Sequence, residues 1–164
     1  SDVCSSDLVM VFFPATLMGA RGEVPEEPYS IPLGEADVKR EGDDVTLVAI
    51  GETVPDALSV AEELDGEVDV EIIDPRTLLP LDEQTIFESV RKTGRLVVAD
   101  PANRTCGAAA EIGMRVSNNC IWSLDAPVKR VTRHDVPISY SPPQEDYVLP
   151  DAETIEQAVR DVVW

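Results

Sequence analysis

The fold is decided by residues 45–74, VTLVAIGETVPDALSVAEELDGEVDVEIID. The run at 45–50 is apolar at nearly every position and does not alternate, which is typical of a strand buried on both faces. A helix is predicted to follow, with Thr53 as its N-cap and the Asp-Gly pair at 65–66 as its end. A second apolar run, 68–74, completes a strand–helix–strand unit. The apolar stripe of the helix consists of Ala57, Leu58, Ala61 and Leu64.

The same alternation of strand and helix is predicted along the rest of the chain. Further apolar strands are predicted at 9–13, 95–100 and 128–134. Between them, one helix is expected to begin after Asp82 and the last helix after Asp151. The stripe of an intervening helix consists of Ala108, Ile112 and Val116. Fully apolar strands separated by helices predict an α/β fold in which a mostly parallel sheet is covered on both faces.

Residues 74–82, DPRTLLPLD, form a stiff exit from the strand at 68–74. Its two prolines restrict the backbone and are expected to fix the path into the next helix. Leu81 is placed to pack against Ile86 as a hydrophobic staple. We interpret this exit as an element that holds a shape and forms an interface, with no catalytic role. The residues expected to pack against a neighbouring domain or subunit are Leu78, Leu79 and Leu81.

The charge balance excludes several kinds of partner. The 164 residues include 32 acidic and 13 basic side chains, for a formal net charge of −19. Phosphate-rich surfaces would repel such a chain, so nucleic acid and anionic membranes are not expected partners. Only three of the basic residues are lysines. An acidic, lysine-poor surface favours a source that lives at high salt, where screening removes self-repulsion; an ordinary acidic cytoplasmic domain is the alternative.

The cysteines and apolar runs predict a cytoplasmic chain. Cys4, Cys106 and Cys120 are odd in number and lack CxxC spacing, so neither a disulfide framework nor a zinc site is indicated. No apolar run reaches the ~18 residues that a membrane span requires. The nearest run, 8–20, is interrupted by Pro14 and has no basic leader, so it is not interpreted as a signal peptide.

Two arginines follow predicted strands at the edge of the sheet where α/β proteins bind ligands. Arg76 and Arg104 could clamp an anion there. Alternatively they pair with Asp74 and Asp100 and hold the loops, which is the interpretation we favour. The chain contains no GxGxxG and no GxxxxGK[ST] sequence, so neither a dinucleotide site nor a P-loop is predicted.

No self-sufficient active site is predicted. His134 is the only histidine, so this chain alone can assemble neither a Cys–His pair nor a histidine metal site. A lone histidine at a strand end is more often a surface residue than a base. Glu111 is a single acid on a helix, for which a solvated or interface role is expected. We therefore assign no catalytic, cofactor-binding or metal-binding residue.

Four stretches together resemble one protein family. They are GEVPEEPYSIPLGEADVKREGDDVTLVAIG (22–51), VEIIDPRTLLPLDEQTIFESVRKTGRLVVAD (70–100), LDAPVKRVT (124–132) and PISYSPPQEDYVLPDAETIEQAVRDV (137–162). The resemblance is to the beta subunit of thiamine-diphosphate-dependent 2-oxo acid dehydrogenases of the pyruvate or acetoin type, in its carboxy-terminal, transketolase-C-like domain. It implies a three-layer α/β/α fold with a five-stranded mixed sheet.

The resemblance also implies a division of the chain. Residues 35–164 are expected to form the transketolase-C-like domain, and residues 9–34 the tail of a pyrimidine-binding domain with a linker. Residues 1–8 match no element and are interpreted as a non-native leader. In the family the activating glutamate lies in the pyrimidine-binding domain, so the fragment is expected to be inactive alone, binding neither thiamine diphosphate nor magnesium, the cofactors of the full enzyme.

The implied partners are an alpha subunit, a second beta subunit and the binding domain of the acyltransferase core. Asp125 matches a position where the resemblance implies an acid in contact with that binding domain, and the terminal carboxylate, on Trp164, is expected near the same patch. Two other interpretations stay open at this point. The chain could be a stand-alone transketolase-C-like binding module, or a fragment of another transketolase-family enzyme.

Overall fold

The computed structural model describes residues 11–19, 21–22 and 25–164. It contains a five-stranded sheet with the strand order β1-β3-β2-β4-β5. β2 is parallel to β3 and β4, β5 is parallel to β4, and β1 is antiparallel to β3. This mixed, mostly parallel sheet confirms the predicted fold class. The strands are β1 Asp37–Arg40, β2 Val45–Ala49, β3 Val70–Asp74, β4 Leu96–Asn103 and β5 Lys129–Arg133.

Helices cover both faces of the sheet, and each face has its own apolar core. One core joins α1 and α5 to the sheet and includes Leu47 and Ile155; the other joins α2 and α3 and includes Ile73 and Ile112. Each fully buried aliphatic side chain contributes about 1.5–3 kcal/mol, so these two cores dominate stability. The helices are α1 Thr53–Glu63, α2 Glu83–Thr93, α3 Ala108–Cys120, α4 Pro142–Val148 and α5 Ala152–Val163.

Three helix ends follow from their sequences. The Asp82 carboxylate accepts a hydrogen bond from the Thr85 N–H, so α2 begins as predicted. Asp151 and Thr154 form a reciprocal capping box at the start of α5. Gly94 ends α2 with φ 71°, a left-handed conformation that glycine adopts without steric cost.

Thr53 is not the N-cap that the sequence predicts. The cap position is Glu52, which makes no side-chain capping bond, and Thr53 is the first helical residue. Its hydroxyl accepts from the Ile50 N–H at 3.0 Å and lies 3.1 Å from the Ala99 carbonyl oxygen. The side chain therefore joins the start of α1 to β2 and β4, a role that needs the tertiary fold.

The predicted strand at 9–13 is wrong where the structure describes it, since residues 11–13 form no strand and Phe12 and Phe13 are both 81% exposed. Residues 9 and 10 lie outside the described part. The fifth strand is β1, whose charged sequence DVKR gave no apolar signal. The adjoining turn packs closely on β3, because a Cβ on Gly42 would clash with the backbone of Val70 and Glu71.

Candidate interaction surfaces at the two edges of the sheet

Hydrogen bonds hold the exit from β3 against the segment that precedes β1. The Gly34 N–H donates to Thr77 Oγ1 at 3.0 Å, and that hydroxyl donates to the Pro80 carbonyl at 2.8 Å. The Ala36 N–H donates to Asp82 Oδ2 at 2.9 Å. Burial opposes ionisation of Asp82, but hydrogen bonds from Ala36 and from the first turn of α2 outweigh it and hold the pKa of this carboxyl below its usual value. The exit is thus fixed in shape.

The three leucines of the exit have different surroundings. Leu79 is 81% exposed and Leu78 is 50% exposed. Leu81 packs instead against the core cluster that contains Ile86, as the predicted staple requires. Exposed leucines on a fixed backbone are suited to contact with another protein surface. Their place in a subunit interface stays a prediction, and Leu81 could contribute to it only with its accessible part.

The two arginines do not make the predicted ion pairs. The Arg76 guanidinium pairs with Asp37 of β1 at 2.6 Å, while Asp74 accepts from the Arg76 backbone N–H at 2.9 Å. Asp100 is buried and accepts from the N–H groups of Ala102 and Ala109, both at 2.9 Å. The loops are therefore held by carboxylates, but the partners are mainly backbone groups.

The remaining candidate residues of the sequence lie apart. His134 stacks on Tyr147 with ring centroids 5.6 Å apart, and its backbone N–H donates to the Val148 carbonyl. Glu111 pairs with Arg115 at 2.7 Å on the surface of α3. Among the described residues, no three histidine, cysteine or acidic side chains lie close enough to hold a metal ion. None of the described helices has the length and apolar character to cross a membrane.

The amino edge of the sheet, where the parallel strands begin, brings Asp125 and Trp164 towards one surface. The Asp125 N–H donates to the Gly94 carbonyl at 2.8 Å, at the point where α2 leads into β4. The neighbouring Arg95 donates through Nε to the Val162 carbonyl at 3.0 Å, just before the exposed Trp164. Asp125 therefore contacts the Gly94 backbone, and the carboxy-terminal end of α5 contacts the side chain of the adjacent Arg95.

This amino edge is rich in carboxylates. Asp44, Glu67 and Asp69 line a surface cavity of about 290 Å³ together with Gly66 and Val68. Asp44 and Asp69 are held in place by backbone hydrogen bonds, since Asp44 Oδ2 accepts from the Asp69 N–H at 2.9 Å. Glu67 pairs with Arg160 at 3.0 Å and Asp69 lies 3.9 Å from Arg40, so part of this negative charge is already balanced. A cationic protein surface would meet mainly the carboxylate of Asp44 here.

Sequence reasoning missed one buried ion pair near this edge. Glu71 is only 4% exposed, and its carboxylate pairs with Lys92. Burial opposes ionisation of Glu71, but hydrogen bonds from Lys92, Ser89 and Gly42 keep its pKa below the usual value. The signal was available: a glutamate inside the apolar run at 70–73 is buried only if a partner is present.

The mixed, mostly parallel sheet with helices on both faces defines an α/β domain of three layers. The family model "Transketolase, C-terminal domain" matches residues 34–155. The chain belongs to this family.

Curated relatives are similar over most of the chain. The acetoin:2,6-dichlorophenolindophenol oxidoreductase subunit beta of Bacillus subtilis is 46% identical over 151 residues, 92% of this chain and 44% of the relative. The pyruvate dehydrogenase E1 component subunit beta of Staphylococcus epidermidis is 41% identical over 139 residues, 84% of this chain and 43% of the relative. The 2-oxoisovalerate dehydrogenase subunit beta of B. subtilis is 37% identical over 144 residues, 87% of this chain and 44% of the relative.

A solved structure confirms the fold. It is titled "Split gene transketolase, inactive beta4 tetramer", and it superposes with a TM-score of 0.73 at 26% identity, over 87% of this chain and 45% of that chain. The chain thus spans less than half the length of the relatives that it matches.

Proposed function

We propose that this chain is the carboxy-terminal domain of the beta subunit of a 2-oxo acid dehydrogenase of the pyruvate or acetoin type, acting in the cytoplasm. Its role is subunit assembly and docking, and it is catalytically incomplete alone. The observation that carries the proposal is the 46% identity over 151 residues to an acetoin oxidoreductase beta subunit.

The order of the identities supports the substrate class. Identity is 46% to the acetoin relative, 41% to the pyruvate relative and 37% to the 2-oxoisovalerate relative. The transketolase structure is 26% identical. These values favour a dehydrogenase beta subunit over another transketolase-family enzyme, and an acetoin or pyruvate member over a branched-chain one.

The full enzyme is proposed to use thiamine diphosphate and magnesium. The described residues do not fit such a site by themselves, because no group of three potential metal ligands is assembled among them. We therefore assign the cofactor to the rest of a longer beta subunit and to an alpha subunit. The residues of this chain act by holding those parts in position.

We propose that the two ends of the parallel strands bind different partners. Leu78 and Leu79, with the accessible part of Leu81, contact a second beta subunit or the alpha subunit, because they are exposed on a backbone that is already ordered. Asp125 and Trp164 contact the basic binding domain of the acyltransferase core. The acidic cavity beside them supplies electrostatic complementarity, which accelerates association and weakens with salt.

A chimeric enzyme tests the proposal. Residues 25–164 replace the matching part of the B. subtilis acetoin beta subunit, and the chimera is co-expressed with the alpha subunit of that enzyme. We expect a stable complex that reduces 2,6-dichlorophenolindophenol with acetoin when thiamine diphosphate and magnesium are added. The 164-residue chain mixed with the alpha subunit is expected to give no turnover.

Three outcomes separate the claims. Turnover by the 164-residue chain without the rest of a beta subunit would contradict its proposed incompleteness. A folded chimera that forms no complex with the alpha subunit would contradict the assembly role. A chimera that assembles with the alpha subunit but does not turn over acetoin would leave the assembly role intact and contradict the pairing of this domain with an acetoin-type enzyme.

A further inference from the structure

The outer edge of β5 is open at Arg130 and Thr132 and is covered beyond the strand, where the end of α4 approaches His134. The Arg133 carbonyl accepts from the Arg104 N–H at 3.1 Å, so the odd-numbered residues of β5 direct their backbone groups towards β4. Alternate residues of a strand point their N–H and C=O groups to opposite sides, so Arg130 and Thr132 direct theirs outward. His134, the next even-numbered residue, fits the same alternation, since its N–H points away from β4 and donates to the Val148 carbonyl. Within the described residues, no other strand pairs with this edge.

The open edge is basic although the chain is strongly acidic. Seven of the thirteen basic residues form ion pairs with carboxylates of the described residues. Six form none there, and three of these six, Arg104, Arg130 and Arg133, lie on or next to β5. Arg130 Nη1 donates to the Arg104 carbonyl at 3.0 Å, so these residues are adjacent. Arg133 has a buried Nε with no acceptor in the described part of the chain. Buried polar atoms are rarely left unpaired, and Oδ1 of Asn103, the register partner of Arg133 on β4, is likewise buried without a hydrogen-bond partner in this part of the chain.

Two acids near this strand, Asp135 and Asp161, already have partners. Both oxygens of Asp135 accept hydrogen bonds from Thr105, at 2.9 Å from the N–H and 2.6 Å from the hydroxyl. Asp161 pairs with Lys129 at 3.0 Å. Hydrogen bonds from Thr105 and the charge of Arg104 hold the pKa of Asp135 below its usual value, so Arg104 is partly balanced by this acid. Arg130 and Arg133 have no acid paired with them within the described residues, and a planar guanidinium is suited to bind a carboxylate from another molecule.

A surface groove of about 280 Å³ runs beside the same strand. It lies between α3 and β5 and is lined by Ala110, Gly113, Met114, Ser117, Val128 and Arg130. The small residues on α3 leave room for an apolar side chain, and Arg130 places a positive charge at the side of the groove.

We propose that the β5 edge binds an extended acidic peptide of a partner protein, which adds a strand to the sheet. Outward N–H and C=O groups of Arg130 and Thr132 form the ladder, an apolar peptide side chain enters the groove, and peptide carboxylates bind the arginines. Self-pairing of two β5 edges does not fit, because it would bring the basic residues of the two copies together. The site is distinct from the surfaces proposed above, and its test does not depend on them.

Peptide titration followed by NMR tests the site on the 164-residue chain. The probe is the peptide Glu-Glu-Val-Glu-Val-Glu-Glu, whose valines share one face in an extended strand while carboxylates occupy both. The comparison peptide has lysine in place of every glutamate. We expect saturable shifts at the Arg130 and Thr132 amides with the acidic peptide only, together with slower hydrogen exchange of these two amides. Two acidic peptides, N-methylated on the odd or on the even amides, test whether a backbone ladder forms. We expect the peptide whose methyl groups point away from β5 to bind and the other peptide to lose binding.

Substitutions distinguish the contribution of backbone pairing to peptide affinity from the contribution of charge. Thr132→Pro removes one outward N–H without touching the β4 ladder and is expected to weaken binding at least fivefold. Arg130→Gln is expected to do the same and to flatten the salt dependence, while Arg130→Lys gives an intermediate affinity. Arg91→Gln, a change on the distant helix α2, is the matched control and leaves affinity unchanged; melting temperatures confirm that each variant is folded. Equal binding of the acidic and basic peptides, no saturable binding, or full affinity of folded Thr132→Pro would overturn the proposal.

Discussion

Arg76 Nη2 lies 2.6 Å from Asp37 Oδ2, and this pair joins the exit from β3 to the antiparallel edge strand β1. Arg76 also has φ 54°, in the left-handed region. A residue with a Cβ pays roughly 1–2 kcal/mol there. The position therefore combines an attractive ion pair with an unfavourable backbone conformation, and the two effects can be separated by substitution.

Arg76→Ala and Arg76→Gly should differ in stability. Alanine loses the ion pair and keeps the backbone strain, so we expect it to lower the free energy of unfolding by about 1 kcal/mol. Glycine loses the same pair but relieves the strain, and we expect it to lie within about 0.5 kcal/mol of the parent chain. Urea denaturation measures both. Equal losses in the two variants would show that the left-handed backbone at Arg76 costs nothing.

Cys106→Gly is expected to stabilise the chain. Cys106 is exposed with φ 62°, so the thiol contributes no core packing while the backbone is strained. Glycine should raise the free energy of unfolding by about 1 kcal/mol, although its flexibility in the unfolded chain offsets part of the gain. Cys106→Ala retains the Cβ and serves as the control, with no gain expected. A thermal melt in which both variants match the parent would contradict the argument.

The Glu71–Lys92 pair predicts a pH dependence of stability. The pKa of Glu71 is lowered from 4.5, so its contribution is present above pH 4.5 and is lost as pH falls through the lower folded value. The pKa of Lys92 is raised from 10.5 by its hydrogen bond to Glu71, so that contribution is present below pH 10.5 and is lost as pH rises through the higher folded value.

Lys92→Met should be more harmful than Glu71→Gln at pH 7. Methionine leaves a buried carboxylate without its cation, whereas glutamine leaves no buried charge. Because the Lys92 side chain is 39% exposed, we expect a loss of about 2 kcal/mol rather than the larger value of a fully buried pair. Denaturation between pH 3 and pH 7 measures the effect. Lys92→Met should recover stability relative to the parent chain at the acid end, where Glu71 is protonated, and a pH-independent difference would argue against the pair.

The regular part of the fold was predictable because apolar period and helix caps are local signals. Val70–Asp74 is apolar at most positions, and Asp82 and Asp151 cap helices with their own neighbours. β1 was not predictable in this way, because Val38 is its single apolar residue and Asp37 is held by Arg76, which is far away in the sequence. An edge strand buries few side chains, so its sequence carries little of the apolar pattern by which strands are predicted.

The candidate surfaces were predictable only where the exposure of a side chain depends on its neighbours in the sequence. Leu78 and Leu79 follow a proline-restricted strand exit, and the structure leaves them exposed. The partners of Arg76 and Asp100 were predicted wrongly because side-chain pairing depends on strands that are far apart in sequence. The open β5 edge required strand order and parity, which no local pattern carries.

Leu78→Asp with Leu79→Asp should prevent assembly without unfolding the chain. Both side chains are exposed, so acidic replacements cost little within the chain but place charge in the proposed apolar contact. We expect the chimeric beta subunit carrying both changes to lose its complex with the alpha subunit in light scattering, with a melting temperature within a few degrees of the parent. Ile121→Asp, at an exposed leucine-sized residue of the opposite edge, is the control. An unchanged complex mass in the double variant would remove the leucines from the interface.

Asp125→Lys is expected to weaken docking of a basic acyltransferase binding domain. Asp125 lies on the acidic amino edge, and charge reversal there should lower the association rate constant at low salt by about tenfold. Removal of Trp164 should mainly raise the dissociation rate, because an exposed indole supplies contact area rather than steering. Asp146→Lys makes the same charge change at an exposed position beyond the opposite edge and should leave both rates near those of the parent. Surface plasmon resonance at 50 mM and 500 mM salt distinguishes the two effects; if Asp125→Lys and Asp146→Lys slow association equally, the net charge of the chain, and not this surface, attracts the partner.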